Sequence, residues 1–97
     1  MPMNENEQSQ SFKPCDWDRY FETTDFDLSV TLVCKNYVLE SIETGKGGKL
    51  VFLFNKEKDI ASAVDEYWSN KILVNPLEFT NVRKNLKSRI YGMKKNY

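Results

Sequence analysis

Ninety-seven residues, 40% of them hydrophobic and 13% aromatic, suffice for one packed core and are too few for two. No apolar run approaches the roughly 18 residues of a membrane span, and the polar residues 1–11 lack the apolar segment of a secretory leader, so a cytoplasmic protein is expected. There is no histidine and there are only two cysteines, Cys15 and Cys34, which leaves no common zinc set, disulfide framework or Ser-His or Cys-His nucleophile.

Residues 1–11 are rich in Asn, Glu, Gln and Ser and read as a flexible tail, because they cannot bury enough surface to order themselves. Residues 12–97 read as a single compact α+β domain. Over 12–21 the rings of Phe12, Trp17, Tyr20 and Phe21 alternate with charges, which suits an arm docked across a core. Thr24, with Asp27 three residues on, resembles a capping box, and Asp25 and Asp27 add charge where the helix dipole favours it. A helix is predicted over 25–35, with Leu28, Leu32 and Val33 at helical spacing. Asn36 is its left-handed stop.

The β-rich runs 37–43 and 49–55 are joined by a glycine-rich link and predict a hairpin. Residues 50–54 are continuously apolar, so this strand is expected to be covered on both faces or to lie centrally. Asn55 reads as the cap of a second helix over 56–69, whose Ile60, Val64, Tyr67 and Trp68 share one face and are taken as core. A short apolar run at 72–74 is a further strand candidate. Asn75, Pro76 and Glu78 then signal a third helix reaching about Met93. The expected architecture is a small hairpin sheet packed against two or three helices, in the order arm, α, β, β, α, (β), α.

Two constellations carry less chemistry than they suggest. Gly45, Lys46, Gly47, Gly48 and Lys49 have the composition of a phosphate loop, but a strand follows where a helix should, and no Ser or Thr follows Lys49. A hairpin turn explains them. Asp16, Asp18, Glu22, Asp25 and Asp27 lack the ligand order of a calcium loop and read as helix-start and surface charge. No catalytic residue, metal or cofactor is implied.

Charge is the stronger clue. Residues 1–75 hold 8 basic and 13 acidic side chains, whereas 76–97 hold 6 basic and 1 acidic. On the third helix Phe79, Val82, Leu86, Ile90 and Met93 project as one stripe. Arg83, Lys84, Lys87, Lys94 and Lys95 gather along one flank, with Tyr91 among them. Such a helix can dock through its stripe and offer cations to phosphates. The plainer reading is a solvated outer face whose cations complement the helix dipole.

Phe21, Glu22, Thr23, Thr24 and Asp25, the run 50–55, the pair Tyr67 and Trp68, and Lys87, Ser88, Arg89, Ile90 and Tyr91 form a set. The set resembles an uncharacterised family of domains of unknown function from small bacterial, archaeal and phage proteins. The likeness covers about residues 21–92 and implies a compact single domain with no catalytic residues to carry over. A phage or mobile-element origin would favour a regulator, a nucleic-acid accessory factor or an anti-defence protein. The expected function is a non-catalytic nucleic-acid-associated accessory or regulatory protein, contacting phosphates through Arg83, Lys84, Lys87, Lys94 and Lys95. The alternative is a protein-interaction module, inhibitor or homodimer acting through an acidic and aromatic N-terminal surface that includes Trp17 and Tyr20.

Overall fold

Asp25 and the nine residues after it organise the domain. In the computed structural model, which describes residues 19–95 and side chains through 93, helix α1 spans Phe26–Cys34. The Asp25 backbone is extended, and its carboxylate accepts from the Leu28 amide at 2.8 Å. The Thr23 hydroxyl accepts from the Asp25 amide at 3.0 Å. The cap is therefore Asp25 and not Thr24, since its carboxylate reaches an amide that the helix itself leaves without a partner.

Five consecutive α1 residues, Leu28 to Leu32, are buried, so the middle of the helix has no solvent face. A one-sided stripe was expected. The difference is carried by Ser29 and Thr31, whose hydroxyls donate to the Asp25 and Asp27 carbonyls at 2.9 Å each and so enter the core already hydrogen-bonded. Asn36 ends the helix in the left-handed region at φ 73°, as expected, and the Tyr37 amide donates to the Leu32 carbonyl at 3.0 Å.

Three antiparallel strands, β1 (Tyr20–Thr23), β2 (Leu39–Thr44) and β3 (Leu50–Asn55), form a sheet in the order β1-β3-β2. The continuous apolar run is thus the central strand. Phe54 pairs with Phe21 and Leu39, and Phe52 with Thr23 and Ile42, which places these side chains on the inner face. Leu39 and Ile42 share that face despite their odd spacing, because the register shifts between Leu39 and Ser41 and Glu40 takes up the extra step of a bulge. The hairpin link is a 3-10 turn, Lys46–Gly48. Gly47 and Gly48 stand at φ 69° and 77°, a region that side chains other than glycine's seldom occupy.

The third strand is β1 and not the run 72–74. Tyr20 and Phe21, expected in a docked arm, pair in the sheet; Trp17 and the tail 1–11 lie outside the described residues. Residues 71–75 are irregular, with Ile72 and Val74 packed on the core and Leu73 exposed. Helix α2, Ile60–Trp68, starts later than expected because Asn55 is held in the sheet. It pairs with Tyr20, its amide donates to the Val38 carbonyl at 2.9 Å, and the next amide, of Lys56, donates to Arg19 at 2.7 Å. Helix α3, Pro76–Lys95, begins as its signal implied: the Asn75 side-chain oxygen accepts from the Leu77 and Glu78 amides at 2.9 and 3.1 Å.

Helices α2 and α3 both pack on α1, and Phe26 meets Phe52 with ring centroids 6.1 Å apart. Together with Phe54, Ile42, Ile60, Ala63 and Leu86 they build one core. No helix of the described residues is long and apolar enough to cross a membrane. Cys34 is buried at 8% exposure. Burial pushes its thiol pKa up, with Glu78 adding to the rise and Lys35 opposing it.

The cap and the enclosed helix give separate expected effects. Asp25→Ala lowers stability by about 1 kcal/mol, and Leu32→Ala by about 2–5 kcal/mol, both read from urea unfolding. In a Cys15→Ser background, Cys34 reacts with a thiol reagent at the rate of protein opening and not at that of a free thiol, which timed labelling with and without urea resolves.

Candidate functional site

Helix α3 is oriented by its apolar residues. Leu86 is buried, and Phe79, Val82, Ile90 and Met93 pack against the core, so the stripe seen in the sequence is the docking face. The polar residues around it are thereby assigned their surroundings.

Arg83 is engaged within the molecule. Its Nε stands 3.5 Å from the Asp27 carboxylate, and its guanidinium carbon lies 5.4 Å from the centre of the Phe26 ring, tying α3 to the first turn of α1. Lys84, Lys87, Arg89 and Tyr91 are exposed, Tyr91 at 61%. Lys87 and Tyr91 are one helical turn apart, and Lys84 lies one turn before Lys87. Lys94 and Lys95 occupy the last turn of α3, but their side chains fall outside the described residues. Of the sequence-predicted cations with described side chains, then, Lys84 and Lys87 are exposed, while Arg83 is partly exposed and engaged by Asp27 and Phe26.

The structure adds a partner to this face. Between the start of β3, the start of α1 and the C-terminal half of α3 runs an open groove of about 400 Å³. Phe26, Leu50, Phe52 and Ile90 give it an apolar lining, to which Thr24, Tyr91, Lys49 and Lys87 contribute polar groups. Among the described residues both charged groups along it are lysines, and no carboxylate lines it. Lys49 comes from the hairpin and Lys87 from the helix, so two distant stretches of chain place cations around one apolar surface. An apolar cleft with a few convergent polar groups is the usual form of a ligand site, commonly roughly 300–1,000 Å³.

Sequence reasoning singled out Lys87 and Tyr91 but not Lys49, Phe26, Leu50 or Ile90 as their neighbours. The glycine link is the hairpin turn it was taken for, and it carries Lys49 to the groove only through the way the hairpin end meets α3. No local pattern signals that meeting.

A second concavity of about 430 Å³ is lined by Thr31, Tyr67, Trp68, Asn70, Ile72 and Val74. Tyr67 packs on the core, but Trp68 is 61% exposed, which corrects its expected core placement. It lies at the end of α2 and meets Tyr67 edge-on at 4.9 Å without entering the core. Burial raises the Tyr67 phenol pKa, with Asp25 and Asp27 adding to the rise. Tyr20, the other half of the N-terminal surface considered from sequence, is a half-buried strand residue opposite Asn55.

A family model described as a domain of unknown function (DUF5659) matches residues 18–92. No curated protein and no solved structure matches the chain.

The internal engagement of Arg83 has a modest expected energy. The side chains of the pair are 43% and 56% exposed, so a double-mutant cycle of Arg83→Gln with Asp27→Asn gives a coupling below about 1 kcal/mol. Arg83→Gln alone lowers stability by about 0.5–1 kcal/mol, the Phe26 contact included. Urea unfolding of the four proteins measures both quantities.

Proposed function

The chain belongs to the DUF5659 family of domains of unknown function, and we propose that it is a non-catalytic module that binds nucleic acid through the exposed face of α3 and the hairpin lysine beside it. The observation that carries this reading is the convergence of Lys49 and Lys87 on one apolar groove with no carboxylate along it among the described residues, next to the exposed Tyr91. A helix and a closed turn fix the backbones from which these cations extend, and their flexible stems let the ammonium groups reach successive phosphates. A solvated helix face alone has no need of a second cationic element or an exposed aromatic ring. Lys84, Lys94 and Lys95 extend the positive charge along α3.

Contacts of this kind give affinity with little sequence preference and a strong dependence on salt. For three phosphate contacts, raising salt from about 50 to about 200 mM weakens binding roughly 20- to 40-fold. Each of Lys49→Gln, Lys84→Gln and Lys87→Gln lowers the salt slope by about one contact, without loss of the fold because all three side chains are exposed. Arg83→Gln changes the slope less, since its guanidinium is held by Asp27 and Phe26. Anisotropy titration of labelled DNA and RNA at the two salt concentrations checks these expectations. No binding at the lower salt overturns the proposal. The leading reading would then be a protein-interaction module, favoured by the exposure of Trp68, Leu73 and Leu77 at 61%, 82% and 70%.

A further inference from the structure

We infer that the groove between the hairpin and α3 admits a single unpaired nucleobase, with Lys49 and Lys87 taking phosphates of the same strand; this rests on the nucleic-acid reading and narrows it to single strands. The lining has the character a base requires. Phe26, Leu50 and Ile90 offer apolar surface, Tyr91 an exposed ring and Thr24 a hydroxyl, so a flat heterocycle can stack and still find a hydrogen-bonding partner. The two cations sit on separate elements, one at the hairpin and one on the helix. That arrangement matches a strand whose charges recur from nucleotide to nucleotide.

A duplex is poorly suited to the same surface. Its bases are stacked and paired, so their faces are hidden, and only the phosphates remain for Lys84, Lys87 and Lys49 to meet. Bringing a paired base into the groove would require unpairing and unstacking it, a cost that an unpaired base does not carry. A single strand presents its bases free, and stacking on an aromatic side chain then separates the two forms by roughly 5- to 150-fold in affinity.

The test uses the full chain and three ligands of equal length at one salt concentration: a mixed-sequence single strand, its duplex, and a single strand built of abasic sugar-phosphate units. The single strand is expected to bind roughly 5- to 150-fold more tightly than the abasic strand, and more tightly than the duplex. Tyr91→Ala, at a residue 61% exposed, brings the single strand toward the abasic level with its salt slope unchanged, while Tyr91→Phe retains the preference. Lys49→Gln with Lys87→Gln lowers the slope for every ligand. Equal affinity for single and abasic strands, or tighter duplex binding, overturns the groove assignment and leaves the nucleic-acid reading standing. Failure to bind any of the three at low salt overturns both.

Discussion

Enclosing the middle of a nine-residue helix on every side is the constraint from which the rest of this domain follows. Helix α1 has Leu28 to Leu32 all buried, so it requires cover from more than one direction. The inner face of the sheet supplies part of that cover, and α2 and α3 supply the remainder. The arrangement is tolerable because the polar atoms on the way in are satisfied locally: Ser29 and Thr31 donate to carbonyls of their own helix, and Asp25 closes the first turn. A burial of this completeness also overrides the weak helix propensity of Val30, Thr31 and Val33.

The surface of α3 is a consequence of the same packing. Once Phe79, Val82, Leu86 and Ile90 are turned toward the core, the directions of Arg83, Lys84 and Lys87 are decided by geometry. Arg83 lands over Phe26 and beside Asp27, whereas Lys84 and Lys87 land outward. Between Ile90 on one side and Leu50 and Phe52 on the other the fold is open, and the groove lies there. The candidate site is therefore a seam of the fold, made by elements whose first duty is to cover α1.

Much of the fold was legible because its signals are local. The Asn75, Pro76 and Glu78 start of α3, the stop at Asn36, the glycine link and the apolar stripe of α3 each depend on a few neighbouring residues, and each stands in the structure. The misplacements came where a distant partner decided the outcome. Asn55 has the chemistry of a helix cap, yet pairing with Tyr20 keeps it in a strand. Tyr20 and Phe21 have the look of a docked arm until β3 offers them an edge. Trp68 shares a helical face with buried residues but lies at the helix end, beyond the core's reach. At the site, Lys87 and Tyr91 could be read from helical spacing, while the contribution of Lys49 arises from tertiary proximity alone.

The strand order β1-β3-β2 also bears on how the chain comes off the ribosome. Strand β1 emerges first but its hydrogen-bonding partner is the last of the three strands to be made, and α1 and the hairpin's first strand are synthesised in between. Helix α1 in turn gains its full cover only when α3, the last of the described elements, has emerged. During synthesis a strongly apolar helix thus stands partly unprotected until α3 has been made. Non-local pairings of this sort carry a loop-closure cost that is met before any contact rewards it, and exposed apolar surface in the interval invites association with other chains. A chain without α3 would leave the buried run of α1 short of part of its cover.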